Sequence, residues 1–259
     1  MSILTSRDNP RVRRWRDLMR DAGERRKQGR AIIEGENLIS AFLESGREVE
    51  SLMLSKAAAN RPEFVALATQ SGTAPTVLSD PLFRSIVDVE TPAGIAAEIA
   101  IPPDAGNLKT AQSCLLLDAI QDTGNVGTIL RSAAAFGIRH AVLGKGCADA
   151  WSPKVLRAAA GAHFSLQISE TADLAAAMAE FGGTIACSMP RDGVPLANAD
   201  LSGRIGWLFG AEGKGVSGTL AARSALKVTI PMPGGAESLN VAAAAAICFY
   251  ELSRRASRA

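Results

Sequence analysis

Short apolar runs alternate with longer amphipathic stretches over most of the chain. In the first hundred residues AIIEG has the length and content of a strand, ENLISAFLESG of a helix and VESLMLS of another strand. The alternation continues through PEFVALA to the apolar segment GIAAEIA, which predicts a small α/β module. IPPDAGNLKTAQ then combines two prolines, a glycine and polar residues directly before the apolar run CLLLDAI. That composition predicts a linker over residues 104–112, with one domain at 1–103 and a second at 113–259.

The second half repeats strand and helix character: CLLLDAI, NVGTILRSAAAFG, HAVLG, WSPKVLRAAAG, TADLAAAMAEFG, GTIACSM, RIGWLFG, ALKVTI and a closing alanine-rich helix. Such an order predicts a mostly parallel sheet covered by helices, with functional loops at the carboxyl ends of its strands. Three polar, glycine-marked stretches stand out there. GNVGTILRSAAA, at 124–135, opens an amphipathic helix with a small-residue loop holding Asn125, and carries Arg131 within it. GAEGKG (210–215) and PGGAESLN (233–240) follow strand-like runs. GAEGKG is not GxGxxG, and GAEGKGV lacks the Ser or Thr that follows Gly-Lys in a phosphate loop, so dinucleotide and nucleoside-triphosphate sites fit poorly.

At 259 residues and 47% hydrophobic content the chain is long enough for two moderate cores. It has no run of about 18 apolar residues, and its first thirty residues lack an apolar segment, so neither a membrane span nor a secretory signal is expected and a cytoplasmic protein is. Cys114, Cys147, Cys187 and Cys248 are widely spaced in apolar surroundings, as buried free thiols are. His140 and His163 belong to no ligand-spaced or triad-like set, so no metal is expected.

Net charge is only +2, but residues 1–30 hold ten basic and four acidic side chains. Arg7, Arg11, Arg13, Arg14, Arg25, Arg26, Lys27 and Arg30 are candidate RNA-binding residues of this basic arm, with Trp15 as a stacking partner.

LDAIQDTGNVGTILRSAAAFG, LFGAEGKGVS and IPMPGGAESLNVAAAAAI occur in the order seen in the SpoU or TrmH-like (SPOUT superfamily) RNA ribose methyltransferases, and the resemblance covers residues 115–250. It implies a trefoil-knotted α/β methyltransferase domain, a small amino-terminal L30e-like α/β domain that binds RNA, S-adenosylmethionine as cofactor, and a homodimer. In a dimer, one subunit's basic domain would hold RNA near the other's cofactor site.

The resemblance also assigns residues. Asn125, Arg131, Glu212, Ser238 and Asn240 form the implied catalytic surface. Arg131 would lie against the target phosphate and ribose, Asn125 would hold Arg131 or the ribose, and Glu212 would orient an Arg or Asn donor. Ser238 is in addition a candidate cap for the last helix. Leu208, Phe209, Gly210, Ile230, Met232, Ser238, Leu239 and Asn240 are the implied cofactor-binding residues, with Gly210 admitting a close backbone approach.

Two positions depart from the family pattern. Thr123 stands where the first motif usually carries proline after its aspartate, and Ala159 where relatives often carry serine, whose hydroxyl would touch RNA or cofactor. The implied activity is ribose 2′-O-methylation of large-subunit ribosomal RNA. Transfer RNA is the alternative substrate, and a noncatalytic RNA-binding or ribosome-assembly protein the alternative class.

Overall fold

The computed structural model describes residues 3–103 and 107–256, so residues 104–106 of the expected linker lie outside it. The chain divides into two compact units, Met1–Pro103 with Trp151–Phe164, and Asp104–Ala150 with Ser165–Ala259.

In the first unit Asn9 accepts a hydrogen bond from the Arg11 amide at 2.9 Å and Pro10 fills the first turn, which starts α1 (Pro10–Arg20). Then follow α2 (Ala22–Gln28), β1 (Arg30–Glu34), α3 (Glu36–Glu44), β2 (Ser51–Ser55), α4 (Pro62–Ser71), β3 (Thr76–Leu78), α5 (Asp80–Ile86) and β4 (Ile95–Ala100). The strands form one sheet in the order β1-β4-β2-β3, with β4 antiparallel to both neighbours and β2 parallel to β3.

The basic arm is an amphipathic helix of this core. Val12, Trp15, Leu18 and Met19 fall on one face of α1 and pack with Ile32, Met53 and Ala96 of the sheet. Trp15 is 1% exposed, so the expectation that it stacks on RNA is overturned. Its indole N–H donates at 2.9 Å to Glu98, a carboxylate buried on the central strand that also accepts from Ser51 Oγ at 3.2 Å and pairs with Arg14. Three donors offset the cost of burying that charge.

The second unit contains β5 (Ser113–Asp118), α6 (Thr123–Ala135) and β6 (His140–Leu143). After α7 (Pro153–Ala159) come β7 (Gln167–Glu170), α8 (Leu174–Phe181), β8 (Thr184–Ser188), β9 (Val194–Pro195), β10 (Ile205–Gly210), α9 (Gly218–Arg223), β11 (Leu226–Thr229) and α10 (Val241–Ala256). Its seven strands run in the order β7-β6-β5-β10-β8-β11-β9, and every pairing is parallel. All their carboxyl ends therefore lie along one edge.

Alternation along β10 separates the two faces of this sheet. Leu208 packs with Leu116, Val142 and Cys187 under α8 and α9. On the opposite face Phe209 meets Phe249 of α10 edge to face at 5.6 Å. Cys114, Cys187 and Cys248 are buried free thiols, and burial pushes them up to about 12, 11 and 12 respectively. Cys147 is half-buried, with its thiol 3.3 Å from the Leu117 carbonyl.

Helix α7 and the turn after it differ from the expected 113–259 domain, because Trp151–Phe164 belongs to the first unit. Val155, Leu156 and Ala159 are buried there, Phe164 meets Phe42 edge to face at 5.1 Å, and Arg157 donates to the Asp88 carbonyl at 3.3 Å. Ala159 is 0% exposed, so its missing hydroxyl removes a core polar group rather than a ligand contact.

Replacing Glu98 strands a buried indole N–H and breaks the Arg14 pair. Glu98→Ala is expected to lower stability by roughly 2–4 kcal/mol, the cost of leaving the buried Trp15 indole N–H and Ser51 hydroxyl without their acceptor, with little added by the half-exposed Arg14 pair. Urea unfolding of the variant checks this, and a loss below about 1 kcal/mol would show that the carboxylate contributes little to the core.

Candidate active site

The three polar loops of the second unit meet at the carboxyl edge of its sheet. Asp122 accepts the Asn125 amide at 2.7 Å and starts α6, so Asn125 sits in the first helical turn rather than in a loop. Thr123 occupies the position where a proline would also serve, because the first-turn N–H has no intrahelical partner.

The Asn125 side-chain amide donates to Glu212 Oε1 at 2.5 Å, and Asn240 donates to the same oxygen at 3.0 Å and to Asn125 Oδ1 at 3.0 Å. A carboxylate after β10 thus ties together the start of α6 and the start of α10. Asn240 Oδ1 accepts the amides of Ala242 at 2.9 Å and Ala243 at 3.3 Å. Asn240 is therefore the cap of α10, correcting the assignment of that role to Ser238, which lies two residues further out.

The loop carrying Glu212 is built to hold still. The Gly215 amide donates to the Ala211 carbonyl at 2.8 Å, and the Ser217 amide donates to Asp118 Oδ2 at 2.8 Å. A Cβ on Gly210 would lie 2.2 Å from the Gly215 carbonyl carbon and from the Val216 nitrogen. The close approach expected at Gly210 is thus made by the chain's own backbone. Asp118 escaped notice in the sequence because its signal is only an acidic residue at the end of an apolar strand.

A cavity of about 630 Å³ opens beside this cluster. Phe209, Gly210, Ile230, Met232, Ser238, Leu239 and Asn240 all line it, together with Glu212. Leu208 does not, because strand alternation turns it into the core at 0% exposure. The residues at 188–191 form a further wall that the sequence did not single out; they follow the end of β8, and position at a parallel strand's carboxyl end is the signal that would have found them.

Arg131 lies two turns along α6 from Asn125, exposed and, among the described residues, without a hydrogen bond or ion pair. Asn125 is committed to Glu212 and Asn240, so it does not hold Arg131, and Glu212 orients two Asn donors rather than an Arg.

The candidate RNA contacts separate in the same way. Arg25 is 4% exposed and donates to the Leu18 carbonyl at 2.6 Å, which removes it from the surface. Arg14 is paired with Glu98, Arg30 with Glu50 and Lys27 with Glu24. Arg11 lies over the Trp15 ring at 4.9 Å and donates to Thr76 at 2.9 Å. Arg25 alone among these candidates is buried; Arg7, Arg11, Arg13, Arg14, Arg26 and Lys27 are all exposed. Among the described residues no three His, Cys, Asp or Glu side chains form a metal-binding group. No helix among them is long and apolar enough to cross a membrane.

Residues 112–250 match the SpoU rRNA Methylase family, and residues 9–97 match the MRM3-like substrate binding domain. The chain belongs to the SpoU rRNA methylase family. It is 34% identical over 258 residues to the 23S rRNA (guanosine(2553)-2'-O)-methyltransferase RlmP of Bacillus subtilis (strain 168), covering 97% of this chain and 99% of that one.

Among solved structures, a TrmH-family protein from Porphyromonas gingivalis superposes with a TM-score of 0.84 at 32% identity, over 98% of this chain and 100% of that one. The SpoU methyltransferase AviRb from Streptomyces viridochromogenes, solved with its cofactor AdoMet, superposes with a TM-score of 0.87 at 25% identity, over 96% and 98%.

Adding a methyl group at Gly210 forces residues 215–216 outward and takes Glu212 with them. Gly210→Ala is expected to cost roughly 1–3 kcal/mol and to raise amide hydrogen exchange at residues 211–217 above that of β5. Unchanged exchange in that loop would show that the close approach does not hold it.

Proposed function

We propose that this protein transfers a methyl group from S-adenosylmethionine to a ribose 2′-hydroxyl of large-subunit ribosomal RNA. The observation that carries the proposal is the Asn125–Glu212–Asn240 hydrogen-bonded cluster at the rim of the 630 Å³ cavity. It gathers amide donors and a carboxylate from three loops beside a wall that is partly apolar.

The cavity residues fit the cofactor. Ile230, Met232 and Leu239 offer an apolar surface to an adenosyl group, and Leu239 is left 39% exposed there. Bound in the cavity, S-adenosylmethionine would supply a methyl carbon already made electrophilic by its sulfonium; the 2′-oxygen takes the methyl group, and S-adenosylhomocysteine and the hydroxyl proton are released.

The protein's part is alignment. The planar donors of the Arg131 guanidinium orient the RNA phosphate and stabilise negative charge developing on the 2′-oxygen. Asn125 and Asn240, fixed by Glu212, shape the hydrogen-bonding surface beside the attacked ribose. Ser238, at the cavity wall without the capping duty, keeps its hydroxyl for the ligand. Holding the reactants in line removes much of the entropic part of the barrier.

Two observations favour ribosomal RNA. The relative named for 23S rRNA methylation aligns over nearly the whole chain, and the first unit matches a substrate-binding domain. The exposed Arg7, Arg11, Arg13, Arg14, Arg26 and Lys27 supply its phosphate contacts. A homodimer, a cytoplasmic location and a knot through the second unit belong to the same proposal. Exposed Ile247 and Tyr250 on α10, 40% and 55% accessible, are the surface that a second subunit covers.

Methyl transfer to unmodified ribosomal and transfer RNA, followed by mapping of ribose methylation, is the direct test. A single 2′-O-methylated ribose in large-subunit RNA is expected. Methylation confined to transfer RNA would replace the substrate, and cofactor binding without transfer to any RNA or ribosomal precursor would favour a noncatalytic binder. Arg131→Ala is expected to cut turnover by about 100-fold or more, the scale of losing one charge-stabilising donor, with cofactor affinity within about twofold of the parent. Near-parental turnover at saturating RNA would exclude Arg131 from the chemistry.

A further inference from the structure

The wall formed by residues 188–191 carries a cation that the methyl-transfer scheme above leaves unused. Arg191 lines the cavity from the turn between β8 and β9, and Glu237 lines it from the loop before α10. Both are exposed, and among the described residues neither has a hydrogen bond or an ion pair. The other carboxylate of the cavity, Glu212, is already committed to two amides.

The turn that presents Arg191 is fixed at both ends. The Met189 amide donates to the Val228 carbonyl at 2.8 Å, and the Gly193 amide donates to Thr229 Oγ1 at 2.9 Å. A Cβ on Gly193 would lie 2.7 Å from Thr229 Oγ1 and from the Val228 carbonyl carbon, so the turn can press against β11 only with glycine there. Asp192 holds a left-handed φ of 62° between these anchors. A non-glycine residue in that conformation is strained, and the surrounding bonds maintain it. The backbone beneath Arg191 is thus preorganised, which lowers the ordering cost of any contact it makes.

A cavity with one unpaired cation and one unpaired anion on its wall is complementary to a zwitterion. We propose that Arg191 and Glu237 seat the α-amino-acid end of S-adenosylmethionine, Arg191 taking its carboxylate and Glu237 its ammonium group. The proposal rests on the cofactor assignment made above and deepens it. A guanidinium binds a carboxylate through two parallel N–H donors, so Arg191 fixes the direction of the methionyl chain as well as its charge.

The test uses the full chain and two ligands that share the adenosyl group. S-adenosylhomocysteine carries the amino-acid end, and 5′-methylthioadenosine lacks it. Calorimetric titration of the parent is expected to show S-adenosylhomocysteine binding at least about tenfold tighter, the order of a charge-assisted contact. Arg191→Gln and Glu237→Gln are each expected to weaken S-adenosylhomocysteine by about tenfold and to leave 5′-methylthioadenosine within about twofold. That unchanged arm also shows that the variants fold.

Equal affinity of the parent for the two ligands overturns the proposal, as does unchanged S-adenosylhomocysteine affinity in both variants. Parallel loss of both ligands assigns the side chains a structural role and overturns it too. If Arg191→Gln raises the KM for RNA while S-adenosylhomocysteine binding stays intact, the anion is an RNA phosphate and the seat is refuted. A parent that binds neither ligand defeats the cofactor assignment itself, and this seat with it.

Discussion

One oxygen of Glu212 receives amide donors from Asn125 and Asn240, residues that lie 87 and 28 positions away in sequence. The proposed chemistry of the second unit depends on that convergence, because each partner sits at the start of a helix and the contact joins the two helix starts to the loop after β10. The arrangement is possible because all seven strands of the sheet are parallel, which delivers the loops after β5, β10 and β11 to the same edge. The loop carrying this carboxylate is held in turn by backbone contacts and one further carboxylate. Gly210 lets residues 215–216 close down on β10, and Asp118 accepts the Ser217 amide from the neighbouring strand.

Much of this was legible in the sequence, since the polar clusters at 124–135, 210–215 and 233–240 interrupt an otherwise aliphatic half. What periodicity and composition do not encode is which polar group satisfies which. Asn240 rather than Ser238 caps α10 because its side chain reaches two amides of the next turn while keeping its own amide free for Glu212. Leu208 was misplaced for a simpler reason: consecutive strand residues face opposite sides, so it and Phe209 cannot both face the same layer. Strand β7, QISE, is mostly polar and β9 is only two residues long, so neither carries an apolar run, and the turn at residues 189–193 is shaped by pairing with a strand that follows it by more than thirty residues.

The first unit shows how charge density can hide an apolar pattern. Val12, Trp15, Leu18 and Met19 recur at helical spacing inside a segment dominated by arginine, and the structure buries all four. Arg25, a few residues further on, is buried and ends on a helix carbonyl, and the half-exposed Arg14 pairs with Glu98, so formal charge overstates the free charge this segment presents. Burying a carboxylate is tolerated there because indole, hydroxyl and guanidinium donors surround it. The same contacts pin α1 to the sheet.

The segment Trp151–Phe164 is covalently part of the second half of the chain but packs in the core of the first. Neither unit is therefore a continuous stretch of polypeptide. A fragment cut near residue 104 would lack Val155, Leu156, Ala159 and Phe164 from its core, and the complementary fragment would carry those apolar side chains with nothing to cover them. Swapping substrate domains between members of such a family consequently takes three splice points rather than one, and the two halves are obliged to change together.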